Sequence, residues 1–189
     1  NSTTKKYLDG TTFDDIVALY HFDENLRHLF LEHLLIVERN IKTQMSYAFC
    51  LHHGADQAHY LNSTNYHVTP LNRTKVMKLI GILNNLVTSP TDYPYINHHQ
   101  KRHHNVPLWV LINAITFGSM SKMFEYFPQS LQSQIAKQYP LNISDLMRLL
   151  SVLTKYRNAC AHGERLFTYK TTDAIPNLLI HEKLKITKK

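Results

Sequence analysis

Residues 23 to 53 contain neither glycine nor proline, and Leu26, Leu29, Phe30, Leu34, Val37, Ile41, Met45, Ala48 and Phe49 recur through them every third or fourth place. An apolar stripe of that period predicts one long helix, which Gly54 ends. Such a helix is stable only when other elements cover the stripe, so the rest of the chain must supply partners for it. Glycine (5) and proline (7) are scarce in the 189 residues, which favours helices over many short strands. The expected class is therefore all-α, a helical bundle, with residues 1–189 forming a single domain.

Shorter elements follow the same logic. Thr12 with Asp15 forms a capping-box pattern ahead of Ile16, Leu19 and Tyr20, predicting a short helix before the long one. Val76, Leu79, Ile80, Leu83 and Val87 share a face of a helix over 71–88. "SPTDYPYINHHQKRHHN" then reads as an inserted loop or short-helix excursion. Pro107 suits the first turn of a helix reaching Phe117-Gly118, and shorter helices are expected over 119–126 and 130–139. Ser144 is expected to cap a last long helix that runs to His162 and stops at Gly163, and 178–186 reads as a tail, strand or final helix.

The formal charge of +7 is moderate and scattered, apart from residues 98–104 and the lysine-rich end. It is compatible with a polyanionic partner without requiring one. Cys50 and Cys160 both fall inside apolar helical patterns, which argues against a disulfide framework and for a cytoplasmic setting. The longest apolar run, 108–117, is too short for a bilayer, so no membrane partner is expected. The chain opens on Asn1 without Met, so it is read as a fragment lacking its native N-terminus. No glycine-rich phosphate loop and no Ser or Cys triad pattern is present, and no cofactor is expected.

Chemistry concentrates in "YRNACAHGERL", residues 156–166, at the predicted end of the last long helix. Asn158 and His162 lie about 40° apart round that helix and one turn apart along it, so they share a face. Arg157 lies about 140° from His162, but its long side chain can sweep to the same place. An imidazole beside a guanidinium suits RNA backbone cleavage, because the substrate's own 2′-hydroxyl is the nucleophile. His162 would move protons, Arg157 would offset charge on the phosphoryl oxygens, and Asn158 would orient the substrate. General acid and general base are two groups and the chain offers one motif, so a homodimer would complete the site. A plain reading stands beside this one: a capped helix end with Arg157 paired to an acid. A second match to the spacing, Arg27 to His33, lies inside the long helix.

"RNACAH" followed by "ERL" resembles the R-x4-6-H signature of HEPN domains. "TTFDDIVALYHFDENLRHLFLEHLLIVERNIKTQ" (11–44) and "PLWVLINAITFGSMSKMF" (107–124) resemble abortive-infection proteins of the AbiD/AbiF type. The resemblance implies a HEPN-like helical core, a dimer, and a metal-independent antiphage endoribonuclease whose catalytic residues are Arg157, Asn158 and His162. It also implies that Glu38 and Arg39 are a charged pair supporting the same cleft, beside the plainer reading that Glu38 and Lys42, four places apart, pair in solvent. Two departures stand out: Asn113 occupies a place that is often acidic in the family, and an aromatic-rich segment ahead of Phe13 is missing.

Other groups have plainer readings. Lys101 and Arg102 in "HHQKRHH" are candidates for weak RNA contact. His99 and His103 have the spacing of a metal pair but no Glu or Cys beside them, so no metal is assigned, and a metal-dependent hydrolase is the least favoured function. Trp109, Phe117, Phe124 and Phe127 read as core, and Cys160 as packing inward. The alternative to a ribonuclease is a catalytically silent HEPN-like module that binds RNA or a protein partner in phage defence.

Overall fold

The computed structural model describes residues 7–89, 93–175 and 178–186, and every regular element among them is helical. The first helix, α1 (Phe13–His53), has 41 residues and is about 60 Å long at 1.5 Å per residue. Its capping box is formed: Asp15 N–H donates to Thr12 Oγ1, and Thr12 N–H donates to Asp15 Oδ2 at 2.9 Å. The expected short helix and long helix are thus one, because nothing between Tyr20 and Asp23 breaks the backbone and Asp23 faces inward instead of capping. Gly54, at φ 90°, donates back to the Cys50 carbonyl and ends it.

The C-terminal half of α1 is the spine of the core. Met45 and Phe49 are fully enclosed with Leu83, Leu108, Met120, Phe124 and Leu150. The N-terminal half differs: Phe13, Leu19, Tyr20, Phe22, Leu29 and Phe30 are exposed.

After the short α2 (Gln57–Tyr60), the polar stretch is pinned by two buried tyrosines. Tyr60 Oη donates to the Val106 carbonyl and Tyr66 Oη to that of Tyr60, each at 2.7 Å. Burial pushes both phenols above their ordinary value. Helix α3 (Arg73–Thr88) buries the five positions its periodicity named. Helix α4 (Pro94–His103) occupies the excursion; Pro94 sits in its first turn, where a missing N–H costs nothing, and Ile96 anchors it. Residues 90–92 of the excursion lie outside the described residues.

The helix expected over 107–118 ends early, and the one expected from 119 already begins at Phe117. Helix α5 (Leu108–Leu111) stops where the Asn113 amide donates to the Trp109 carbonyl at 2.8 Å, and Thr116 then caps α6 (Phe117–Tyr126). Phe117, Phe124 and Phe127 are core as expected, whereas Trp109, on the outer side of this break, is half exposed. Helices α7 (Gln129–Lys137) and α8 (Ile143–Ala161) follow, α8 capped by Asn142 and not by Ser144. A last helix, α9 (Leu179–Lys183), lies within 178–186. No helix among the described residues is long and apolar enough to cross a membrane.

Candidate active site

Helix α8 lies against α1, and three pairings give the direction: Arg157 meets Glu38, Cys160 packs with Leu34, and the Phe167 amide meets Asp23. The two helices are therefore antiparallel. The small residues of the motif permit the approach, since Ala159 and Cys160 are buried where α8 passes α1. Burial raises the Cys160 thiol above its ordinary value, while Arg27 opposes and Asp23 adds to that shift.

Past Ala161 the helix closes in a Schellman turn. Gly163, at φ 72°, donates to the Cys160 carbonyl at 3.4 Å, and Glu164 N–H donates to that of Ala159 at 3.0 Å. His162 is the cap residue and stands in solvent, as does Asn158 one turn before it. The motif is thus divided by chemistry: Ala159 and Cys160 face inward, Asn158 and His162 outward.

Arg157 lies between these two sides. Its side chain is 31% exposed, and its Nε is 3.6 Å from Glu38 Oε2. The Glu38 side chain is 9% exposed, and its other oxygen is 2.8 Å from Lys42 Nζ. Lys42 also donates to the Ile115 carbonyl at 2.7 Å, tying α1 to the turn before α6. One buried carboxylate therefore faces two cations. Glu38 Oε2 and Arg157 Nε both lack a hydrogen-bond partner, so the guanidinium is held by charge and not by a formed hydrogen bond.

Arg157, Asn158 and His162 share the end of α8, and Glu38 joins them across the helix pair. Arg39 is exposed about 100° further round α1 and enters no ion pair among the described residues. Lys101 and Arg102 are exposed in the last turn of α4, which packs on α3 and α5, and neither bonds to the motif. The rings of His98, His99 and His103 lie 5.4 to 6.1 Å apart, but no three metal-ligating side chains among the described residues are arranged to hold an ion.

Two buried charged residues escaped the sequence reading. Lys42 looked like half of a solvated pair, yet it is 7% exposed. Asp23, 3% exposed, pairs with the Arg27 guanidinium and accepts from the Phe167 N–H at 2.9 Å. Arg27, in the second match to the motif spacing, is thus committed to Asp23. The signal available was two opposite charges four places apart, bordered by the apolar positions Leu26 and Phe30.

Beyond the motif the chain returns along α8. Asp173 binds Lys155 Nζ at 2.7 Å and accepts from Ser151 Oγ at 2.8 Å. An apolar groove of about 820 Å³ runs between α1, α8 and this returning segment, with Val37, Ile41, Leu149 and Leu153 in its wall.

Fold and site together define an all-helical domain with an R-x4-H motif presented at one helix end. Residues 1–168 match the family described as Abi-like protein, and the chain belongs to that family. Membership supports an abortive-infection role. No curated protein and no solved structure matches the chain.

Proposed function

We propose that this Abi-like protein is a HEPN-like, metal-independent endoribonuclease that acts as a homodimer in phage defence, with Arg157, Asn158 and His162 at its site. The observation that carries the reading is the partition of the motif: its small residues are buried while Asn158 and His162 reach solvent beside a half-buried Arg157. A histidine serving only the core would be enclosed and bonded there.

In the reaction, the 2′-oxygen attacks the adjacent phosphorus as the bond from phosphorus to the 5′-oxygen breaks. One imidazole takes the proton of the 2′-hydroxyl, and a second delivers a proton to the departing 5′-oxygen. The products are a 2′,3′-cyclic phosphate and a 5′-hydroxyl. One His162 from each of two copies supplies both groups. Arg157 carries its charge to the phosphoryl oxygens as charge builds there, and Asn158 orients the nucleotide. Glu38 supports the site by holding Arg157 between turnovers, and Lys101 and Arg102 add backbone contacts to RNA at a distance. The exposed apolar side chains of α1, including Leu29, Phe30, Leu35 and Ile36, support association of two copies.

One observation favours a second reading, a catalytically silent RNA- or protein-binding module: Arg157 already faces the Glu38 carboxylate at the end of a fully capped helix. The two readings part on product chemistry. Incubation of single-stranded RNA and tRNA with the protein in EDTA is expected to give cyclic phosphate ends, and Arg157→Ala to remove most of the activity. Binding of the same RNAs without any cleavage would select the silent module.

A further inference from the structure

Asp23 is the most enclosed charged residue of α1, in a part of the helix where Tyr20 and Phe22 are more than half exposed. A carboxylate is buried without penalty only when charge and hydrogen bonds satisfy it. Both partners are present. Arg27, one turn on, pairs with it, and the backbone N–H of Phe167 donates to Oδ1 at 2.9 Å from 144 positions away.

That second bond falls at a telling place. Between the end of α8 and Phe167, the residues His162, Gly163, Glu164 and Arg165 are all exposed. The upstream side of this turn is tied by the two Schellman bonds. Its downstream side is held by the buried Leu166 and by the bond to Asp23. Leu166 packs among Leu34 and Cys160, a contact that fixes depth but not direction, whereas a hydrogen bond to a charged acceptor is directional.

We propose that Asp23, oriented by Arg27, is a positioning residue of the site: by holding the Phe167 amide it fixes the turn that presents His162. The inference rests on the ribonuclease reading for its catalytic consequence, but the positioning itself is measurable without RNA.

The test uses the full chain, with three readouts: hydrogen exchange at the Phe167 amide, the ring signals of His162 by NMR, and kcat and KM for RNA cleavage. In Asp23→Ala, Phe167 exchange is expected to speed up about tenfold, the worth of one hydrogen bond to a charged group, while Leu83 in α3 keeps its protection. The His162 ring signals shift and broaden. Cleavage kcat falls about a hundredfold, as for a group displaced by about 1 Å, with KM within about twofold. The Asp23→Asn and Arg27→Gln double variant keeps an acceptor oxygen without leaving a buried unpaired cation, and it restores protection, ring signals and most of kcat.

Unchanged Phe167 exchange and unchanged His162 signals in a folded Asp23→Ala protein would overturn the proposal. If Asp23→Ala does not fold, the double variant decides: folded, yet with an unprotected Phe167 amide or displaced His162 signals, it has the same meaning. A native protein that cuts no RNA sinks the ribonuclease reading alone, because exchange and ring signals still judge the positioning.

Discussion

Glu38 illustrates how much one buried side chain can control. Its carboxylate faces Lys42 and Arg157, and Lys42 is itself anchored on the Ile115 carbonyl. Glu38→Ala leaves two cations facing each other with no anion between them. A loss of about 3 kcal/mol in urea denaturation is expected, the scale of breaking a buried pair from one side. Arg157→Ala leaves Glu38 its Lys42 partner and removes a partly solvated pair, so its cost should stay within about 1 kcal/mol. Equal costs for the two variants would show that Glu38 and Lys42 are not the enclosed pair described. Little of this was legible in the sequence: the spacing of Glu38 and Lys42 marked a pair but not its burial, and the 3.6 Å approach of Arg157 depends on how two helices pack. Family resemblance, not periodicity, placed Glu38 near the motif, and it named Arg39 as well, which the structure leaves in solvent.

At the scale of elements, legibility follows the source of the signal. Helix α3 carried its whole buried face in its periodicity, and Gly163 marked the end of α8 through the left-handed turn that follows. The junction of α5 and α6 lies earlier than expected, because Asn113 and Thr116 break an apolar run by local bonds that leave hydrophobic spacing intact. A Cβ added at Gly163 would meet nothing within 4 Å, so Gly163→Ala pays only for its backbone conformation. The expected loss is about 1 kcal/mol in thermal denaturation, and a stabilised variant would contradict the Schellman turn. The returning segment gives a pH signature. Hydrogen bonds from Lys155 and Ser151 hold the Asp173 carboxyl below its ordinary value of 3.8. The unfolded chain therefore binds its proton first as pH falls, and the contribution is present above 3.8 and lost below it. Carbon NMR should place the Asp173 midpoint below 3.8, and Lys155→Met should move it upward.

For the whole molecule, the long α1 serves two purposes. Its second half completes the core, while its first half leaves large apolar side chains such as Phe22, Leu29 and Phe30 in solvent. Sedimentation equilibrium is expected to give twice the 22.1 kDa chain mass, and charged residues at Leu29 and Phe30 should shift it toward the monomer. If those variants remain fully dimeric, the two copies meet elsewhere. The most direct measurement for the molecule is cleavage of labelled single-stranded RNA and tRNA in EDTA by the native protein and by His162→Ala, with the product ends identified. Cleavage leaving a 2′,3′-cyclic phosphate, reduced at least a hundredfold in the variant, is the expected result, the scale of losing a general acid or base. Equal cleavage by both proteins, or none by the native protein, would contradict it.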